Sequence, residues 1–378
     1  METCVSFLLG LLFLGDFVMK KFFLFTIALC LSASSIHADD VISYGSALRS
    51  SGDTTDIKPF VTHGAFKLWS SWFKNEGDFH QAIEKSYKEI YGESSSNTDP
   101  YDWFQPFFGL TMYERIRAAK GFVEEKIKAF ENDLTITSFV DYGYSYGGQV
   151  IAIASNMLGR LFQKVQDHSI DFFRTEIEVY HPLLPKFLKV KYHALGYIDL
   201  CTRRLWNDHE DTLRRMAALN KPDKGEYILS DVCILGTPNW DDGKAGTFNM
   251  FEYDLNVVGF VHNLYSSGDY VQKIVGTSWL EKITDNLRGA DVKIKVKGAG
   301  RLGWVKGIIA GIFKLDPKRL HNNPTHLQMH HELVGHWLPH LLKDIRDQVI
   351  TNGKTHLWIK FENAEEKPKV VENTRVRL

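Results

Sequence analysis

The sequence predicts an α/β architecture in which a mainly parallel sheet carries helices on both faces. Two observations lead to it. Short apolar runs alternate with longer helix-patterned segments along the chain, and its most glycine-rich turn joins an apolar run directly to a helical pattern. The composition agrees: the 378 residues are 44% hydrophobic and 24% charged, enough for a large core and unlike a disordered chain. Lys and Arg number 45 against 46 Asp and Glu, so a formal net charge of -1 gives no electrostatic footing for nucleic acid.

In chain order, the first segment does not belong to the fold. After Met19 come Lys20 and Lys21, the apolar run Phe22–Leu31, and small residues up to Ile36-His37-Ala38. This is the basic, apolar, cleavage-site order of a secretory signal peptide, so residues 1–38 are expected to be removed after Ala38. Export to the periplasm, cell surface or medium follows. The apolar run is shorter than the ~20 residues needed to span a bilayer. Residues 1–18 are also apolar apart from Asp16, and either a start at Met19 or a two-segment anchor accounts for them.

The domain proper is expected over 39–361. Strands are expected at 57–62, 101–105, 135–142, 228–235, 257–264 and 291–297, and helices at 78–91, 111–131, 147–166 and 333–349. Only about eighteen residues separate the cleavage site after Ala38 from the first strand, so a reduced sheet without the antiparallel strands that often open such sheets is expected. Residues 167–227, rich in Arg, Lys, Tyr and His, read as a helical insertion, either a lid or a plain excursion. Residues 299–320 hold the apolar stretch Gly303–Phe313. It is a candidate for transient lipid contact, although its three glycines lower helix propensity and favour ordinary packing. The charged, proline-containing tail 362–378 is expected to fray. Of four cysteines, Cys4 and Cys30 lie in the leader. Cys201 and Cys233 are either a disulfide or two buried thiols.

Chemistry is carried first by Asp141-Tyr142-Gly143-Tyr144-Ser145-Tyr146-Gly147-Gly148, a G-x-S-x-G turn between the run Ile136–Val140 and the helical pattern Val150–Phe162. A serine on so sharp a turn needs neighbours without side chains two residues before and after, and Gly143 and Gly147 meet that need. Its hydroxyl then projects at the top of the sheet, with the positive end of the following helix aimed at charge developing on the reacting oxygen. A second motif, Val61-Thr62-His63-Gly64-Ala65-Phe66, follows the first strand directly. There the N–H of Ala65 or Phe66 could join that of Tyr146 in an oxyanion hole.

These motifs, with Trp69, Trp72, Gly77-Asp78-Phe79, Gly109, Arg115, Ala118-Ala119 and Leu235-Gly236-Thr237-Pro238, resemble the lipase and esterase branch of the α/β-hydrolase superfamily over residues 57–270. Tyr144 stands where many lipases carry histidine. The resemblance implies an α/β-hydrolase fold, a Ser, acid, His triad in that chain order, a small-molecule or lipid ester as substrate, and no cofactor.

Ser145 is the expected nucleophile. Asp269, in the turn Ser266-Ser267-Gly268-Asp269 after a strand, is the expected acid, with Asp241 or Asp242 as the competing choice. His326, in the loop Asn323-Pro324-Thr325-His326, is the expected base, with His330 and then His331 as alternates. His336 and His340 fall inside the last helix and are expected to serve packing or surface. No metal is expected: in His331-Glu332-Leu333-Val334-Gly335-His336 the second histidine comes at i+5 rather than i+4, and the i+4 pair His336 and His340 lacks a neighbouring glutamate. The same residues also fit an acyltransferase or thioesterase, or a non-catalytic binding protein on the hydrolase fold.

Overall fold

The structure, a computed structural model, describes residues 57–64, 72–92, 97–103, 112–167, 177–179, 190–192, 194–238, 252–269, 290–300, 320–363 and 365–372. The leader 1–38, Ala65 and Phe66, Asp241 and Asp242, and Gly303–Phe313 lie outside the described residues. In chain order the strands are β1 (Ile57–Thr62), β2 (Asp99–Tyr101), β3 (Ser138–Tyr144), β4 (Ile177–Val179), β5 (Val190–Tyr192), β6 (Leu229–Leu235), β7 (Val261–Tyr265), β8 (Val292–Gly298), β9 (His356–Phe361) and β10 (Val370–Glu372). The helices are α1 (Asp78–Tyr91), α2 (Met112–Asn132), α3 (Tyr146–Gln166), α4 (Ala194–Leu219) and α5 (Glu332–Asn352). Eight strands form one sheet in the order β10-β9-β8-β7-β6-β3-β1-β2. Every pairing in it is parallel except β9 with β10.

Alternation along each strand divides the core between the two faces of the sheet. Phe60, Phe139, Val232 and Ile234 join one cluster with residues of α2, α3 and α4, including Ile116, Phe122, Val150 and Leu205. Their neighbours Val61, Val140, Cys233 and Leu235 point the other way and pack with Phe79 and Ile83 of α1 and Val334 and Leu338 of α5. The expected parallel sheet covered on both faces is therefore present. Cys201 belongs to the first cluster and Cys233 to the second. The sheet separates them, and both are buried free thiols.

The differences from the expected elements have local causes. The strand expected from 257 starts at Val261, because the Asp254 carboxylate accepts the N–H of Asn256 and builds a turn just before it. The strand expected over 101–105 instead runs Asp99–Tyr101, and Trp103 turns away to pack on His63. Within the insertion, β4 and β5 form a separate antiparallel pair. The helix α4, kinked at His209, buries Ile198, Leu205, Leu213 and Met216 in the main core. That part of the insertion is cover for the sheet. The tail also departs from the frayed segment expected over 362–378. Val370–Glu372 pairs with the otherwise open edge of β9, and Gln348 of α5 donates to the Val370 carbonyl at 3.0 Å.

Candidate active site

The site sits where parallel strands end. Ser145 follows β3 directly and is the only residue other than glycine with positive φ among the described residues, at φ 53° and ψ −128°. An L-residue adopts that backbone only where its surroundings over-determine it. Here the Ser145 N–H donates to the Leu235 carbonyl at the end of β6 (2.9 Å), and the Gly148 N–H donates to the Ser145 carbonyl (3.1 Å) as α3 begins. The flanking glycines are sterically required. A Cβ on Gly143 would lie 2.6 Å from Ile151 Cδ1, and one on Gly147 would lie 2.8 Å from the carbonyl oxygens of Thr62 and His63.

The end of β1 is pressed against this turn. A Cβ on Gly64 would stand 2.5 Å from Ser145 Cβ and 3.0 Å from its Oγ, so bare backbone lies beside the hydroxyl. His63 fixes that backbone. Its Nδ1 lies 2.7 Å from the Gly64 carbonyl, the Trp103 backbone N–H donates to its Nε2 at 3.3 Å, and its ring stacks on Trp103 at 5.2 Å. The Trp103 indole N–H donates back to the His63 carbonyl at 3.0 Å. His63 is thus a structural clamp for the turn after β1.

The candidate acid and base come from two loops bound to each other. After β7, the Gly268 N–H donates to Ser266 Oγ (3.1 Å) and the Asp269 N–H to the Ser266 carbonyl (3.2 Å), a tight turn that buries Asp269. Ser267 Oγ donates to Asn323 Oδ1 (2.8 Å), tying this turn to the loop that carries His326. Thr325 and Gln328 form a capping box around the short 3-10 turn His326–Gln328. His326 Nδ1 lies 2.8 Å from Asp269 Oδ2, both groups being buried. Tyr144 joins the pair to the Ser145 turn: its hydroxyl donates to the His326 carbonyl at 3.1 Å, and its ring centroid is 4.7 Å from the imidazole. Burial, with Asp269 adding to it, pushes the Tyr144 hydroxyl well above its ordinary pKa, which keeps it a donor.

Ser145, Asp269 and His326 thus converge at one end of the sheet. The alternates take other positions. The His330 ring stacks on Trp72 (4.3 Å, 10° between planes) and meets Tyr144 edge-on at 4.8 Å. His331 caps α5, its Nδ1 accepting the Leu333 N–H at 3.1 Å. Tyr146 is the first residue of α3, where backbone N–H groups lack intrahelical partners.

Sequence reasoning gave Arg115 no role beyond the resemblance and missed Gln149. The Arg115 guanidinium lies over the Tyr146 ring at 4.6 Å and donates to Gln149 Oε1, while Gln149 Nε2 donates to the Pro238 carbonyl at 2.6 Å. This chain braces the first turn of α3 against the strand end after β6. A glutamine among the apolar residues that open α3 was its one visible sign. No family model and no curated protein sequence matches the chain.

Proposed function

We propose that the protein is a serine hydrolase of α/β-hydrolase type that cleaves carboxylic esters through an acyl-enzyme on Ser145. The observation that carries this reading is the buried His326 Nδ1–Asp269 Oδ2 contact of 2.8 Å, bound through Tyr144 to a serine held at positive φ. Nucleophile after β3, acid after β7 and histidine after β8 is also the chain order of Ser, acid and His that the resemblance implies.

In this mechanism His326 Nε2 takes the proton from Ser145 Oγ as the oxygen attacks the ester carbonyl. Asp269 accepts the Nδ1–H, which holds the imidazole in the tautomer with Nε2 free and stabilises the imidazolium once formed. The tetrahedral oxyanion lies against the Tyr146 N–H at the start of α3 and an N–H of Ala65 or Phe66, which follow Gly64. His326 then returns its proton to the leaving alcohol, and water attacks the acyl-enzyme by the same route in reverse. The substrate class is a small-molecule or lipid ester.

The test is labelling of the folded protein with a fluorophosphonate, alongside hydrolysis of p-nitrophenyl esters of increasing acyl length. Labelling and turnover in the wild type, both lost in Ser145→Ala, are expected. A folded wild type that is neither labelled nor active overturns the reading in favour of a binding protein. Preferential turnover of thioesters in a parallel panel reassigns the substrate and keeps the nucleophile.

A further inference from the structure

Away from this site, α1 and α5 pack against each other through Phe79, Ile83, Val334 and Leu338, and their outer flanks bring three metal-ligating side chains together. His336 and His340 lie one turn apart on α5, and Glu89 comes from α1. One donor atom from each lies within 4.8 Å of the other two. We infer that Glu89, His336 and His340 form a binding site for a divalent first-row transition ion, Zn2+ being the ion best suited to the donor set, and that the bound ion clamps α1 to α5.

The donor chemistry is selective. Two imidazoles with one carboxylate suit Zn2+, Cu2+ or Ni2+, whereas Mg2+ and Ca2+ take oxygen ligands. Three protein ligands around four-coordinate zinc leave one position for water. Ligand atoms around such an ion stand about 3.3 Å apart, from metal–nitrogen distances near 2.0–2.1 Å in a tetrahedron. Small side-chain rotations close the gap from 4.8 Å, and none of the three side chains is locked in the core.

One ligand is already oriented. Ser86 Oγ lies 2.9 Å from the Ala82 carbonyl, 2.5 Å from the His336 carbonyl and 3.2 Å from His336 Nδ1. A hydroxyl has one proton, and here it goes to one of the two carbonyls. Toward the imidazole the oxygen can therefore only accept, so Nδ1 carries the hydrogen and Nε2 the lone pair. With Nε2 as the coordinating atom, this is the tautomer a metal ligand needs, and Ser86 supplies the outer hydrogen bond to Nδ1. His340 Nε2 already reaches Glu89 Oε2 at 3.3 Å, so the carboxylate faces the imidazole. The competing cation is Lys85, whose Nζ lies 3.7 Å from Glu89 Oε1. An exposed pair of that spacing contributes little and yields readily to a divalent ion.

Titration calorimetry of the full chain with Zn2+ tests the site, with thermal melting as a second readout. One ion per chain and a raised melting midpoint are expected. His340→Ala, at a partly exposed helix position where folding is not at stake, is expected to weaken binding at least about tenfold, and Ser86→Ala to weaken it by about the 10–100-fold typical of lost outer-shell partners. His326→Ala should bind as the wild type does. The proposal falls if no saturable binding occurs up to about 1 mM Zn2+, if His340→Ala binds unchanged, or if His326→Ala abolishes binding and so places the ion at the hydrolase site. None of these outcomes bears on whether Ser145 is a nucleophile.

Discussion

At the scale of single residues, the costly feature is the backbone of Ser145. A residue other than glycine at φ 53° costs about 1–3 kcal/mol, and such strain persists where the surroundings impose it. The imposing contacts are specific: the Ser145 N–H bonded into the end of β6, and glycines at 143 and 147 where any Cβ would collide. Ser145→Ala keeps this backbone and removes only the hydroxyl. It should fold normally and lose about 10³–10⁴-fold or more in kcat, with Asp269→Asn and His326→Ala losing a similar factor. Because the three act as a unit, Ser145→Ala/His326→Ala should cost little beyond either single change, measured as initial rates on one activated ester. His330→Ala removes a ring stacked on Trp72 and should keep kcat within about tenfold, well short of the ~10²–10⁴ that a general base contributes. A reversed ranking of His326 and His330 moves the base to His330.

At the scale of elements, one buried ion pair joins α2 to β3, the strand that leads into Ser145. Lys126 Nζ contacts Asp141 Oδ1, both side chains are fully buried, and the ammonium lies 4.5 Å from the ring centroids of Phe60, Phe122 and Phe139. Burial lowers the Lys126 pKa, opposed by Asp141, and burial raises that of Asp141, opposed by Lys126. Removing one partner strands a charge in the core. Asp141→Asn or Lys126→Met should therefore each lower stability by about 3–5 kcal/mol, whereas Lys126→Met/Asp141→Leu should recover most of the loss. Urea melts of the three variants decide it. If the single changes prove mild, the pair is not desolvated as its burial implies.

At the scale of the whole molecule, each end of the sheet buries an aspartate–histidine contact. The carboxyl ends of the strands carry the candidate site. Near the amino ends, Asp231 lies 2.9 Å from His262 Nε2 and accepts a bond from Arg346, joining β6, β7 and α5. Burial alone would raise the Asp231 carboxyl, but Arg346 and His262 outweigh it and hold the group below the usual carboxylate range. Its contribution is present above the unfolded pKa, near 4, and is lost as pH falls through the lower folded value. Asp291 behaves oppositely. Burial pushes it up to about 6, against the Val261 N–H it accepts at 2.7 Å. A carboxyl raised in the folded state supports the fold below its unfolded pKa, and that support is lost as pH rises through about 6. Asp291→Asn keeps an acceptor for Val261 and removes the ionisation, so it should raise stability at pH 8 by on the order of 1–3 kcal/mol and change little at pH 4. Urea midpoints at both pH values check the sign. A gain at pH 4 equal to that at pH 8 would mean that ionisation of Asp291 is not the cause.

The sequence by itself determined the alternating α/β order, the two-faced sheet and the serine turn. These rest on apolar period and on glycine spacing, which are local and survive in a one-dimensional reading. It also narrowed the candidate base to a few histidines, because the Asn323-Pro324 loop excludes a helix interior. Only the tertiary structure decided what depends on pairing across distance. Loop chemistry favours His326 over His330, but its contact with Asp269 spans 57 positions and is made only by the tertiary fold. The two cysteines stay apart because a sheet lies between them, and 370–372 forms a strand because β9 offers an open edge. Glu89 of α1, 251 positions before His340, comes within 4.8 Å of His336 and His340 only because α1 packs on α5. Periodicity fixes which face a residue occupies, whereas the choice of partner on that face is made by packing of segments that are remote along the chain.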